Sequence, residues 1–324
     1  MLEHLPLLRL RFAFETLTPA QLSPYKGDLL RRALLWHLAP LWCEQSGRCR
    51  HGCQHPETCL FGRLLEPPPR SEWAESLQRL MGDTPPPAYV LWDYQDRRRD
   101  FQAGDRLQIE LTLIGDLAIS QQPAFVAALL AAGDRGLGSS RLKLKLTRAE
   151  VLAGYPGTPL PLLEGDVWRG WPSELAVIRY DQETATVLAE PATRLHLRYL
   201  SPLKIKMRGE TATRPDFPAV MRAVIRRLRI LSQVHGAGEW PHETWGPLLD
   251  LAEQVRLEHH ETTWISAQRH SAQGVMPLDG LVGEAWYAAP VDLRPLLPAL
   301  WLGQWVHIGK AAVWGNGRYE VKTY

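Results

Sequence analysis

Four short stretches of this chain alternate cations with apolar side chains, residue by residue. In Leu8–Phe14, Arg9 and Arg11 stand between Leu8, Leu10, Phe12 and Phe14. In Arg141–Leu146, Arg141, Lys143 and Lys145 alternate with Leu142, Leu144 and Leu146. In Arg194–Tyr199, Arg194, His196 and Arg198 alternate with Leu195, Leu197 and Tyr199, and in Lys204–Arg208 the cations Lys204, Lys206 and Arg208 alternate with Ile205 and Met207. Period two is the repeat of a β-strand with one buried face. The chain must therefore build sheets whose apolar side is covered and whose other side is basic, a platform or groove wall.

What covers the apolar side is also legible. Pro215–Gln233 places Phe217, Val220, Val224, Leu228 and Leu231 on one side of a helix, with Arg222, Arg226 and Arg229 opposite. A first helix is expected from Gly27 to about Ala39, with Leu30, Leu34 and Leu38 inward and Arg31 and Arg32 outward. The order repeats. Leu17-Thr-Pro-Ala-Gln-Leu22 and Leu200-Ser-Pro-Leu-Lys-Ile205 each follow a strand and precede an Arg-bearing helix, and each half closes on a glycine-rich loop, Gly133–Gly138 and Gly309–Gly317. A strand–helix–strand–strand–helix–strand unit used twice fits the 324 residues. This is an α+β reading: two domains, 1–150 and 191–324, joined by 151–190, a linker with a hairpin at Ala176–Leu188. Neither glycine loop is a phosphate loop or dinucleotide fingerprint, since neither ends in Gly-Lys-Ser/Thr and each precedes a strand. Each offers free N–H groups to a phosphate or, alternatively, is a purely structural bend.

The net charge of +2 is a cancellation. Residues 191–230 hold ten basic and two acidic side chains, and residues 231–300 hold three basic and nine acidic. A local excess of this size is a footprint for phosphate, or else a solvated face balanced by the acidic stretch after it. Thirty arginines against seven lysines, with 13 Trp, suit nucleic-acid contact, although a GC-rich genome produces the same bias. The longest apolar runs, such as Phe125–Ala132, fall far short of the roughly 20 residues of a membrane span, and Met1–Pro6 carries no secretory pattern. A cytoplasmic protein without a membrane partner is expected.

All four cysteines, Cys43, Cys49, Cys53 and Cys59, fall in one segment. Four thiolates match a tetrahedral metal site in number, with zinc preferred, an iron–sulfur cluster as the alternative, and free or disulfide-bonded thiols as the remaining reading. His51 and His55 could replace a thiolate. Such a site would be structural, because four thiolates leave no open position.

The terminal Leu302-Gly-Gln-Trp-Val-His-Ile-Gly-Lys310, followed by Gly315-Asn-Gly-Arg-Tyr319, resembles the glycine-rich signature of the RAMP superfamily. Within it, the likeness is to the CRISPR-associated endoribonucleases that process precursor crRNA, the sixth Cas family. Pro24–Gly27, Leu60–Pro69, Gly133–Leu146, Arg214–Gly236 and Leu278–Tyr287 look like further motifs of that family, so the resemblance spans nearly the whole chain. Trp314 and Asn316 depart from it, standing where Phe and Leu are usual. The resemblance implies tandem ferredoxin-like (RRM-like) domains with an RNA groove, and the four-cysteine loop at 43–59 is then an insertion. It also implies metal-independent cleavage of repeat RNA by its own 2′-hydroxyl, leaving a 2′,3′-cyclic phosphate. An inactive RAMP subunit that only holds guide RNA is the alternative. Expected partners are CRISPR repeat RNA within the precursor, other Cas effector subunits and a second copy of the chain as a homodimer.

That reaction needs a base for the 2′-hydroxyl, an acid for the leaving 5′-oxygen and cations for the phosphate. His37, on the helix where the family often carries its histidine, is the first candidate, and a satisfied core histidine is its alternative. His307, in the terminal signature, is the second, or else it only positions the loop. Tyr25 and Lys26 could hold the phosphate, or be exposed residues at the helix mouth. The expected RNA contacts are Arg141, Lys143, Lys145, Arg194, Arg198, Lys204, Lys206, Arg222, Arg226, Arg229, Gly309, Lys310, Gly315, Gly317 and Arg318.

Overall fold

The computed structural model describes residues 5–43, 57–81, 84–154, 157–172, 176–179, 190–207, 209–266, 268–271 and 274–323. The chain forms two compact units, Pro6–Ile178 and Arg179 onward, with Leu5 belonging to the second. The N-terminal unit runs β1 (Leu7–Thr16), α1 (Gly27–Trp42), β2 (Tyr89–Trp92), β3 (Arg106–Ile114), α2 (Gln122–Arg135) and β4 (Leu144–Ala153), followed by β5 (Thr158–Glu164) and β6 (Val167–Trp168). Its antiparallel sheet has the order β2-β3-β1-β4-β5-β6. The C-terminal unit runs β7 (Arg194–Leu203), α3 (Phe217–His235), α4 (His242–Ala252), β8 (Arg256–Ile265), β9 (Gly280–Ala288), α5 (Leu297–Val306) and β10 (Tyr319–Thr323), with the sheet order β8-β9-β7-β10. In both units the first strand is central, flanked by the third and fourth. This is the βαββαβ ferredoxin-like arrangement, used in tandem.

The periodicities place the core. Leu8, Leu10, Phe12 and Phe14 are buried along β1, and Leu195, Leu197 and Tyr199 along β7. Leu30, Leu34 and Leu38 of α1 and Phe217, Val220, Val224, Leu228 and Leu231 of α3 are the buried stripes read from spacing. The first helix runs past Ala39 to Trp42 even though Pro40 lies in its last turn. Proline forfeits one backbone donor, but the Cys43 N–H still closes the turn on the Ala39 carbonyl at 2.9 Å.

Two expectations are corrected. The domain boundary near Glu150 moves downstream, because β5 pairs along β4 and β6 along β5, extending the N-terminal sheet through the segment assigned to a linker. Residues 180–189, most of the expected hairpin, lie outside the described residues, while Ile178 bridges to Leu7. The fourth alternating stretch, from Lys204, does not continue the main sheet either. Lys206–Met207 forms a two-residue ribbon with Glu210–Thr211, and Met207 is 36% exposed, which ends the alternation; Arg208 lies outside the described residues.

The basic face of β1 is neutralised from its neighbours. Arg9 is 3% exposed and donates to Glu110 of β3 at 3.0 Å, and Arg11 donates to Glu150 of β4 at 2.7 Å. Tyr94 donates to the other Glu110 oxygen at 3.1 Å. Among the described residues no helix is long and apolar enough to cross a membrane. Removing one member of a buried pair leaves the other charge stranded, a cost of about 3–5 kcal/mol. Glu110→Ala should therefore lower the unfolding free energy of the folded chain by that order in chemical denaturation. Adding Arg9→Met should restore most of the loss.

Candidate nucleic-acid interface

The turn into α1 brings Tyr25 and Lys26 together but not with His37. Lys26 is fully buried, against the expectation of an exposed cation. Its ammonium donates to the carbonyls of Asp96 and Arg98, the latter at 2.9 Å, and stands 5.2 Å from the Phe101 ring centroid. Burial lowers its pKa, against the opposing pull of Asp96 and Asp93. As placed, Lys26 fastens the 93–98 turn to the helix start and does not present a charge to phosphate. Tyr25 is half-buried, with the Arg97 guanidinium 4.3 Å over its ring. His37 lies ten residues beyond Gly27, which at 1.5 Å per residue is about 15 Å up the axis.

His37 is neither core nor fully exposed. Leu34 and Leu38 carry the buried stripe beside it, leaving the imidazole at its margin. Burial, and then the Arg135 guanidinium at the end of α2, hold its pKa below the usual 6.5. Arg135 itself stacks over the neighbouring Trp36 at 4.9 Å. The result is an accessible imidazole biased toward its neutral form, the form that accepts a proton.

His307 is different. It caps the C-terminus of α5 with φ 56°, is 3% exposed, and its Nδ1 lies 3.2 Å from the Asn316 carbonyl. Asn316, where the resemblance expects an apolar side chain, donates from its amide to the Leu278 carbonyl at 3.2 Å. Both side chains tie the glycine-rich loop to its surroundings. The loop's donors are largely spent on protein too: Ile308 N bonds Gly317 O, Lys310 N bonds Lys204 O and Gly317 N bonds Pro202 O, at 3.0–3.1 Å. The structural reading of this bend therefore prevails for those groups. Gly315, Gly317 and Arg318 are buried, and Arg318 donates to the Gln304 carbonyl at the end of α5. Arg227, absent from the expected set, also caps that helix, donating to Val306 O at 3.1 Å, and burial lowers its pKa to about 10. Gly309 and Lys310 are the exposed part of the loop.

The remaining expected contacts divide by exposure. Arg141, Lys143 and Lys145 are exposed between buried Leu142, Leu144 and Leu146, although Arg141 sits in a turn at φ 50° before β4 begins. Lys145 pairs with Asp166 at 2.9 Å, and Lys143 donates to the Asp134 carbonyl. Arg194, Arg198, Arg222 and Arg226 are exposed or partly so. Lys204 is held by both oxygens of Asp279 at 2.8 and 2.9 Å. Arg229 is half-buried, bonded to Glu239 at 2.7 Å and stacked 4.4 Å over Trp245. Helical spacing alone placed it with Arg222 and Arg226, and α4, packed along α3, covers it.

Exposed Lys206 and Arg222 meet Arg214 and Arg256 around a groove of about 620 Å³ at the start of α3. Arg214 pairs with Asp216 and Arg222 with Glu253, so two of its four cations are partnered within the groove. Arg214 and Arg256 were not singled out by sequence, because each stands alone in its local pattern.

Of the cysteines, Cys43 is buried at the end of α1, and Cys59 starts the short helix Leu60–Leu64, its sulfur accepting from Gly62 N at 3.2 Å. Cys49, Cys53, His51 and His55 lie outside the described residues. Among the described residues no three His, Cys, Asp or Glu side chains gather to hold a metal.

Comparison with known proteins places these units. A family model described as CRISPR-associated endoribonuclease Cas6 matches residues 197–319, and one described as an N-terminal domain matches residues 5–171. The fold is similar to a partial Cas6-RT-Cas1–Cas2 complex at a TM-score of 0.61 and 15% identity, over 99% of this chain and 46% of that one. The chain thus spans less than half the length of that protein. A Cas6 product complex aligns at a TM-score of 0.57 and 17% identity over 98% and 100% of the two chains. Thermus thermophilus Cas6 aligns at 0.55 and 14% identity over 98% and 99%. No curated protein matches the chain.

Within the loop, Gly317 has φ 73°, and a Cβ there would overlap the Ile308 carbonyl oxygen. Gly317→Ala adds a strained backbone, costing about 1–3 kcal/mol, to that overlap. It should lower the thermal midpoint measurably, whereas Gly209→Ala, with open space around its Cβ, should cost only the strain.

Proposed function

We propose that the chain is a CRISPR-associated endoribonuclease of the Cas6 family, whose model matches residues 197–319, and that it cuts CRISPR repeat RNA to release mature crRNA from its precursor. The observation that carries the reading is His37: half-accessible on α1, and held toward its neutral form by burial and Arg135. A neutral imidazole takes the proton of the 2′-hydroxyl that attacks the adjacent phosphate. The bond from phosphorus to the 5′-oxygen then breaks, that oxygen is protonated, and a 2′,3′-cyclic phosphate remains. Cations stabilise the crowded, charged phosphate, a role open to the exposed side chains around α1 and the loops. The proposed chemistry uses no metal. Partners are the precursor crRNA and other Cas proteins, in keeping with a similar chain found in a Cas6-RT-Cas1–Cas2 complex.

Cleavage of repeat RNA in EDTA, abolished by a single 2′-deoxy nucleotide at the scissile position, is the expected result. Binding without cleavage would instead make the chain an RNA-holding RAMP subunit. His37→Ala should slow single-turnover cleavage more than tenfold, about 1.4 kcal/mol, and His307→Ala should act through stability. A smaller effect at His37 would withdraw its assignment.

The base must be unprotonated, so the rate falls as pH drops through the His37 pKa. A lowered pKa puts that acid limb below pH 6.5. Arg135→Gln removes one of the two causes and should move the limb to higher pH.

We also propose a structural metal, zinc or an iron–sulfur cluster, on Cys43, Cys49, Cys53 and Cys59. Cys43 and Cys59 stand at the two ends of this segment, one closing α1 and the other opening the helix Leu60–Leu64. Elemental analysis of reduced protein should give stoichiometric zinc or iron, lost in Cys43→Ser. Substoichiometric metal in the intact chain would overturn the site.

A further inference from the structure

On the C-terminal sheet, the face toward the helices carries Tyr199, Tyr287 and Tyr319. Phe217 of α3 packs on Tyr287, and Tyr319 donates to Leu300 of α5 at 2.5 Å. The register puts a different set on the opposite face. His259 of β8 lies opposite Trp286 of β9, Trp286 opposite His196 of β7, and His196 opposite Lys322 of β10. The three rings stand in a row. His196 and Trp286 are 4.8 Å apart at 9° between planes, and His259 and Trp286 are 5.2 Å apart at 29°. Both faces of the indole are thus covered by imidazoles. The row ends at the edge strand, where the His259 side chain is 62% exposed.

The surroundings identify what such a row takes. Its neighbours are Arg194, Arg198, Glu261, Glu284 and Lys322, polar groups rather than the aliphatic side chains of a protein–protein core. Glu284 receives His196 at 2.8 Å and lies 3.5 Å from Arg198, while Glu261 lies 3.2 Å from His259. Arg198 is paired with Glu284 and Arg194 lies 3.9 Å from Glu258, so two of the three cations here already have a carboxylate partner. What is left is planar aromatic surface with carboxylate acceptors beside it. A flat heteroaromatic ring carrying amino or N–H donors satisfies both, extending the stack on His259 and donating to Glu261.

We infer that the His259–Trp286–His196 row is a stacking site for one unpaired, amino-bearing base of the RNA. The inference rests on the RNA-binding reading above but not on His37 or on cleavage. Stacking of one base is worth about 1–3 kcal/mol by alanine substitution, a loss of about five- to 150-fold in affinity.

The test is equilibrium binding of repeat RNA carrying the 2′-deoxy scissile nucleotide, measured by fluorescence anisotropy on full-length protein. Trp286→Ala and His259→Ala should each weaken binding within that range, and Trp286→Phe, which keeps a ring, should recover most of it. Single abasic substitutions along the unpaired repeat should include one position whose loss is not additive with His259→Ala. His259 is exposed, so its variant keeps the test alive if Trp286→Ala unfolds. Wild-type affinity in folded His259→Ala and Trp286→Phe, with additive losses at every abasic position, overturns the site while leaving the nuclease reading intact. If those variants instead change sedimentation of the free protein without changing RNA affinity, the row joins two copies of the chain and the base site is likewise overturned. Failure of the wild-type protein to bind repeat RNA overturns both readings.

Discussion

The C-terminal unit depends on backbone passing backbone without side chains between. Gly317 crosses the Ile308 carbonyl, and a Cβ at Gly309 would come within 2.6 Å of the Lys204 carbonyl. These approaches let Lys310 N and Gly317 N bond back to the end of β7, so the exit of α5, the loop and the start of β10 form one fastened corner. Arg227 and Arg318 then neutralise the carbonyl end of α5 from inside. The corner that reads in sequence as a phosphate cradle is therefore first a joint, with Gly309 and Lys310 as its outward part.

Charge is distributed by the same logic. The cation-rich segment 191–230 is partnered by the acidic stretch that follows it: Arg198 by Glu284, Lys204 by Asp279, Arg222 by Glu253 and Arg229 by Glu239. Counting along the chain exposed the imbalance, but pairing runs across strands and helices that are distant in sequence. Of these pairs, Arg198–Glu284 and Arg222–Glu253 are exposed, and exposed pairs contribute little to stability, commonly under about 1 kcal/mol. An anion can displace such a carboxylate at small cost, so an exposed paired arginine remains available to one. A buried one, such as Arg9 with Glu110, does not.

Most of the fold was legible because its signals are local. Strict alternation in Leu8–Phe14, Leu142–Leu146 and Leu195–Tyr199 marks strands, apolar stripes mark α1 and α3, and their repeated order gives tandem ferredoxin-like units. The misses are contacts at long range. Lys26 reads as an exposed helix-mouth cation, and its burial depends on carbonyls some seventy residues away. Thr158–Trp168, rich in proline and glycine around it, reads as linker, yet an open sheet edge at β4 recruits it. Arg229 has the right helical spacing for an open face, and only the packing of α4 removes it from solvent. Spacing leaves His37 between a core and a catalytic reading, because Arg135, which shifts its pKa, comes from a separate helix far along the chain.

The aromatic row shows why such a site escapes a one-dimensional reading. His196 reads as a cation in an alternating strand, and Trp286 sits in Leu278–Tyr287, which stands out only as a whole motif. Neither is informative alone. Antiparallel register converts positions 196, 259 and 286 into nearest neighbours, and the 9° between the His196 and Trp286 planes follows from side chains standing side by side on adjacent strands. A tryptophan held between two imidazoles on the solvent face has no packing role toward its own helices, which lie on the other side of the sheet. Its area is stabilised by ring contacts on the row and remains open at the His259 end. The flat ring surface is what this face offers that the cation-bearing loops do not. In the proposed reading, exposed loop and strand cations take the RNA backbone and the ring row takes a base.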